Sequence, residues 1–304
     1  INRYPDNKHT EIKKLVSDIK NVNINQVVFG NGTDEILDLI VRVFCNPNKD
    51  KIITLPPTYG MYDVIAKTNG VENIEIPLKS DFSIDTDKIL DLKTSNIKIL
   101  FLCSPNNPTG NKLKRSDIYS LIASFKTGFI IIDEAYIDFS DEPSFVLELA
   151  QYSSLIVLQT LSKAYGLASL RLGMAFADSA IIGLLNKIKP PYNIGGATQE
   201  IVVKALANPH FKKESVALIL AERTRLVERL SSIKEVIKIY PSDANFILVH
   251  FNNANKLFDY LIESKLITRN RSSVALCEDS IRITVGISEE NDKLVDLITK
   301  FYSA

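Results

Sequence analysis

Cysteine and histidine are scarce in this chain, and their scarcity excludes a good deal. Cys45, Cys103 and Cys277 stand far apart in 304 residues and form no CxxC pair. An odd, scattered count argues against a disulfide framework and leads us to expect a reducing compartment. His9, His210 and His250 share no ligand spacing, so no metal is expected. Neither sign of charge dominates: 36 Lys and Arg balance 36 Asp and Glu, for a formal net charge of +0. That balance leaves no broad footprint for nucleic acid or an anionic membrane. No apolar run approaches the roughly 20 residues that span a bilayer. Asn31-Gly32-Thr33 and Asn270-Arg271-Ser272 match the glycosylation pattern but carry no weight without a secretory signal. There is no internal repeat and no low-complexity tract. We expect a cytoplasmic protein, and its opening on Ile1 leads us to expect that an N-terminal piece is missing.

What the chain does have is a succession of short apolar runs over its first two-thirds. Strands are expected at Gln26–Phe29, Lys51–Leu55, Val71–Pro77, Lys98–Leu102, Phe129–Ile132, Leu155–Gln159 and Met174–Ala177. Helical periodicity fills the intervals, as in Asp34–Phe44, Met61–Asn69 and Ser116–Phe125. Runs such as "IKILFLC" and "GFIIID" are apolar apart from Lys98 and the closing Asp133 and do not alternate, which suits strands covered on both faces. The fold class expected is α/β: a doubly wound, mostly parallel sheet with a smaller α+β C-terminal domain. After about residue 205 the texture changes to a long charged helix near Lys212–Ser232, then "ANFILVH", a helix near Ala254–Ser264, "IRITVG" and a last helix from Ser288. The division expected is an N-terminal segment at 1–20, a large domain at 21–210 and a small domain at 211–304.

In open α/β sheets, ligands bind beyond the carboxyl ends of the strands, and several suggestive residues fall there. "FGNGTDE" ends a strand, turns on two glycines and sets Thr33 where a helix N-cap belongs; the first-turn N–H groups would attract an anion. The third glycine of a dinucleotide fingerprint is missing, which disfavours a dehydrogenase. "CSPNNPTG" is a rigid turn carrying Asn107, and "FIIIDEAY" puts Asp133 at a strand end with Tyr136 three residues on. The GxxxxGK[ST] loop of a nucleotide hydrolase is absent, so Asp133 wants a different cationic partner. In "TLSKAYGLASLRLG", Lys163 follows Ser162, and Arg171 lies eight residues later. A Ser-Lys hydrolase dyad would need these neighbours to face each other, which adjacent residues on a helix do not. A desolvated lysine past a strand end is a reactive amine. Arg171, the hydroxyls of Thr160 and Ser162, and the turn at Thr33–Asp34 form a phosphate cradle beside it. Asp133 would hold a pyridine nitrogen protonated, and Asn107 and Tyr136 would bond a phenolic oxygen. Pyridoxal 5'-phosphate is the cofactor that asks for all of these together.

Asn-Pro-Thr-Gly, Asp-x-x-Tyr and Ser-Lys with its later arginine resemble the fold-type-I pyridoxal-phosphate aminotransferases. "RYPD", "GNGTDE", "PPTYGMY", "DEAYIDF", "PYN" and "IRITVG" narrow the likeness to the histidinol-phosphate aminotransferases, across residues 3–300. The resemblance implies a homodimer and transamination between a small-molecule amino donor and a 2-oxo acid, in histidine synthesis. It implies Lys163 as the lysine that carries the cofactor, Asp133 as the pyridinium partner, and Tyr59 as the aromatic stacked on the ring. It implies Gly32, Thr33, Asp34, Ser162 and Arg171, with Thr160, as the phosphate cup. Tyr4 matches a tyrosine that reaches the neighbouring subunit's cofactor phosphate. Arg282 and Arg269 match the pair that grips the substrate's anion. The family's arm upstream of "RYPD" is absent here, and Arg271 adds a further cation near Arg269. An aromatic-amino-acid aminotransferase, an amino-acid-phosphate decarboxylase and a non-catalytic sensor of the same fold remain alternatives.

Overall fold

The computed structural model describes residues 2–92, 94–126 and 128–303. Its larger part opens with α1 (Thr10–Lys20), β1 (Val27–Asn31), α2 (Gly32–Phe44), β2 (Lys51–Thr54), α3 (Met61–Thr68) and β3 (Glu72–Glu75). It continues through α4 (Thr86–Leu90), β4 (Ile97–Cys103), α5 (Arg115–Ser124), β5 (Phe129–Asp133), β6 (Leu155–Thr160), β7 (Leu172–Ala177), α6 (Ser179–Ile188) and α7 (Gly196–Leu206). The seven strands form one sheet in the order β1-β7-β6-β5-β4-β2-β3. Pairings from β3 through β6 are parallel, and β7 runs antiparallel to both its neighbours. The sheet is thus mostly parallel and helix-covered, as the unbroken apolar runs require.

Strand periodicity explains how the sheet sets up a site. Along β4, Leu100 and Leu102 pack into one core while Ile99, Phe101 and Cys103 pack into the other. Along β5, Ile130 and Ile132 share the first core and Ile131 the second; along β6, Val157 takes the first and Ile156 and Leu158 the second. Successive side chains point to opposite faces, so Cys103, Asp133 and Thr160, the last residues of three adjacent strands, all fall on the second face. That face is the one covered by α2, α3 and α6, through Ile36, Tyr62 and Ile182 among others.

The smaller sheet is antiparallel, in the order β10-β11-β9-β8, from β8 (Val236–Ile239), β9 (Phe246–Phe251), β10 (Arg269–Asn270) and β11 (Ser280–Thr284). It packs against α9 (Ala254–Glu263), α10 (Ser288–Ser303) and the end of α8 (Pro209–Ser231), which buries Leu226 and Leu230 there. The other end of α8 stays with the large sheet's loops, where Lys212 Nζ pairs with Asp138 at 2.7 Å. The two parts also meet at the turn after β4. Asp243 donates its backbone N–H to Gly110 O at 2.7 Å and accepts from Lys112 N at 2.9 Å.

Element ends differ from the sequence reading in detail. β7 begins two residues early, at Leu172, because its partner β6 runs on to Thr160 and the register pairs Thr160 with Gly173. The cap of α2 is a correction: the helix starts at Gly32, so Thr33 lies inside the first turn and Asn31 precedes it without a side-chain cap bond. Glu35 takes over part of that role, accepting from Asn31 N at 2.6 Å.

Candidate active site

The carboxyl ends of β4, β5 and β6, the start of α2 and strands β10 and β11 of the small sheet converge on one cavity of about 360 Å³. Gly32, Thr33, Asp34, Arg171 and the half-buried Tyr59 line it, with the buried Asp133. Asn107, Tyr136, Thr160, Ser162 and Lys163 line its walls, and Arg269 and Arg282 close the far side. Tyr4 is the exception: it is 80% exposed and stacks on Tyr192, with ring centroids 4.4 Å apart, away from this cavity.

Asp133 is the buried anion of the site, with 3% exposure. Its Oδ2 accepts from the Tyr62 hydroxyl at 2.7 Å and its Oδ1 from Ala135 N at 3.1 Å. Burial pushes its pKa above the usual carboxylate range, and those two donors pull it back down. Among the described residues it forms no ion pair. A desolvated carboxylate held this way calls for a cation, and among the described residues none pairs with it.

Lys163 follows β6 and is likewise without an ion-pair partner among the described residues. Burial lowers its pKa, and Arg282 and Arg171 lower it further, while Asp133 opposes them. Its Nζ lies 5.2 Å from the centroid of the Tyr136 ring. Burial raises the Tyr136 phenol to about 12, so it remains a proton donor at neutral pH. Tyr136 is held edge-on by Phe246 of β9, at a centroid distance of 5.1 Å.

The anion cup at the start of α2 depends on two conformations. Gly32 has φ +75, and a Cβ there would stand 2.5 Å from Arg171 Nη2, so only glycine leaves the guanidinium its place. Arg171 itself is left-handed, at φ 52, and its carbonyl accepts from Gly32 N at 2.6 Å. Asp34 pairs with Arg171 at 3.5 Å and accepts from the Tyr59 hydroxyl at 2.9 Å, which fixes the Tyr59 ring at the cavity wall. Thr160 Oγ1 donates to Ser162 Oγ at 3.0 Å and accepts from Ser162 N at 3.1 Å, tying both hydroxyls to the strand end. First-turn N–H groups of α2 have no intrahelical partner and carry the positive end of its dipole.

Arg282 reaches across from the small sheet, with Nη1 donating to Asn107 Oδ1 at 2.6 Å and its guanidinium 4.8 Å from the Phe246 ring. Asn107 is free for this because its neighbour Asn106 does the work of the turn, donating to Pro57 O at 2.8 Å and Thr109 Oγ1 at 2.7 Å. Arg271 also lines the cavity. The Nε groups of Arg271 and Arg282 are buried without a hydrogen-bond partner among the described residues.

Sequence reasoning missed two features. Tyr62, the partner of Asp133, reads as a core residue of α3. Cys103 is buried but also lines the cavity, because it is the residue of β4 that matches Asp133 in register.

Comparison with known proteins agrees with this geometry. The family described as aminotransferase class I and II matches residues 1–298. A histidinol-phosphate aminotransferase of Cytophaga hutchinsonii is 48% identical over 301 residues, covering 99% of this chain and 86% of that protein. The crystal structure of the histidinol-phosphate aminotransferase from Clostridium acetobutylicum superposes with a TM-score of 0.91 at 26% identity, over 99% of this chain and 91% of that one. The same enzyme from Sinorhizobium meliloti, solved in complex with pyridoxal-5'-phosphate, shares the fold with a TM-score of 0.89 at 22% identity, over 98% and 82%. By these matches the chain belongs to the class I and II aminotransferases, which are pyridoxal-phosphate-dependent enzymes.

Proposed function

We propose that the chain exchanges an amino group between L-histidinol phosphate and 2-oxoglutarate, giving imidazole-acetol phosphate and glutamate. The observation that carries this reading is the group of Arg269, Arg271 and Arg282. These three guanidiniums face the cavity of Lys163 and Asp133 without a carboxylate partner among the described residues. A cluster so arranged suits a dianionic phosphate on the substrate, separate from the cofactor cup at Arg171. The names of the relatives that are 48% identical support the same substrate.

The residues present fit pyridoxal 5'-phosphate: Asp133 lacks a cation, Lys163 lacks an anion, and the Gly32 cup leaves Arg171 open to a phosphate. When bound, this cofactor supplies an electron sink conjugated with the substrate's amine-bearing carbon. Within that reading, the ionised Asp133 holds a proton on the ring nitrogen, and Tyr59 covers the ring. Asn107 and Tyr136 bond its phenolic oxygen. Gly32, Thr33, Asp34, Thr160, Ser162 and Arg171 receive its phosphate. Lys163, whose amine burial keeps deprotonated more readily than a free lysine, would be the base that takes the proton from the substrate carbon and later gives it up again. Arg282 and Arg269 orient the substrate's anion so that this carbon stands before Lys163.

Our reading includes a homodimer, in which Tyr4 leaves its own cavity and serves the neighbouring subunit's phosphate; its exposed stacking on Tyr192 supports this. It also includes a division into an N-terminal segment at 1–20, a large cofactor-binding domain at 21–210 and a small C-terminal domain at 211–304, and a cytoplasmic setting, supported by three cysteines that are all free. The test is a panel of donors with 2-oxoglutarate: histidinol phosphate, histidinol, phenylalanine, tyrosine and a phosphorylated amino acid. kcat/KM should be highest for histidinol phosphate. An aromatic amino acid that outruns it, or carbon dioxide released from the phosphorylated amino acid, would overturn the assignment.

A further inference from the structure

Tyr62 lies in the first turn of α3 and is fully buried. Its ring stacks on Phe101 of β4, with centroids 4.7 Å apart and planes 5° from parallel, and meets Tyr59 edge-on at 5.5 Å. Two rings therefore fix its orientation, and its hydroxyl donates to Asp133 Oδ2, 2.7 Å away, beside the Cys103 thiol. Phenylalanine would fill this position and stack on Phe101 equally well; the hydroxyl contributes nothing to packing and has to be satisfied. Burial drives the Tyr62 phenol well above its ordinary pKa, so it is always a donor here.

We propose that Tyr62 is a positioning residue, which keeps the Asp133 carboxylate ionised and aimed so that the shared proton stays on the cofactor's ring nitrogen. This rests on the reading of Asp133 as the ring-nitrogen partner. A carboxylate buried to 3% exposure would otherwise be a strong base, able to draw the proton to itself. A donated hydrogen bond stabilises its charge and lowers that basicity. Ala135 N does the same for the other oxygen, but it is part of the turn and no side-chain substitution removes it.

The experiment reconstitutes the full chain with pyridoxal phosphate isotopically labelled at the ring nitrogen and follows that nitrogen by NMR across pH. In Tyr62→Phe the resonance should move toward that of a neutral pyridine, with kcat down about tenfold and KM within about twofold, the size of one charge-assisted hydrogen bond. Phe101→Leu loosens the same packing without touching the hydroxyl, and should leave the resonance where it is. Equal movement in both variants would mean that Tyr62 acts only through packing and would overturn the proposal. So would an unmoved resonance in Tyr62→Phe. Asp133→Asn separates the two readings. If it moves the resonance and Tyr62→Phe does not, only the role of Tyr62 fails; if neither moves it, the pairing of Asp133 with the ring fails. Should Tyr62→Phe not fold, replacing tyrosine by fluorotyrosine retains the ring and strengthens the donor. The resonance should then move further toward the protonated form, and an unchanged position would overturn the proposal.

Discussion

Arg269 and Arg282 stand directly opposite one another across the ladder of β10 and β11. Opposed residues of an antiparallel pair project to the same face, so the two side chains line the cavity from one side. Arg282 is the deeper of them and is tied to Asn107, whereas Arg269 is exposed. Arg282→Ala should therefore lower kcat/KM for glutamate and for histidinol phosphate alike, by about 10- to 100-fold each. Arg269→Ala should cost the phosphate substrate more, because a dianion engages a second cation that a carboxylate needs less. Steady-state kinetics with both donors at fixed salt gives the four ratios. Small, equal losses throughout would make these arginines structural.

Lys163→Ala should abolish transamination while the protein stays folded and still takes up cofactor without covalent linkage. Mass spectrometry after borohydride treatment, beside an activity assay, reads both parts. Turnover near that of the unaltered protein would remove Lys163 from the chemistry.

For Asp133→Asn the expected loss is on the order of 10³-fold in rate, since an amide does not hold the ring nitrogen protonated. Asn retains the shape and still accepts from Tyr62, so melting temperature should change little. A variant that kept most of its rate would point to another proton holder.

Acid stability should depend on His9. It is 2% exposed, its Nε2 has no partner among the described residues, and burial together with Lys189 and Lys13 depresses its pKa from 6.5 to about 4. A histidine whose folded pKa is depressed contributes stability above its unfolded value that is lost as pH falls toward the folded one. Melting temperature should thus decline between pH 6.5 and about 4, and His9→Asn should flatten that decline. Asn tolerates the left-handed φ of 51 at this position, so the comparison isolates the charge. Parallel pH profiles for the two proteins would contradict the assignment.

The strand ends were legible because apolar runs such as residues 99–103 leave few places for a polar residue except beyond their carboxyl ends. Lys163, Asp133 and Asn107 stand out for that reason, and each lines the cavity. The start of α2 was less legible: a left-handed glycine and the carbonyl of Arg171, 139 residues later in the chain, settle where the helix begins. Tyr62 left no local mark, because three residues past Tyr59 it joins Ile65 and Ala66 on the buried face of α3. Only the third dimension brings it to Asp133, 71 positions away.

The meeting of two sheets at one cavity has a consequence for how such an enzyme changes its diet. Lys163, Asp133 and the cup at Gly32 belong to the large sheet, while Arg269, Arg271 and Arg282 belong to the small one. On the proposed reading, reactivity and appetite are thereby written in separate stretches of the chain, joined by the contact of Asp243 with Gly110 and of Arg282 with Asn107. A lineage, or an engineer, is free to rewrite the second stretch for a new acid or phosphate while the first goes on performing the same proton transfer.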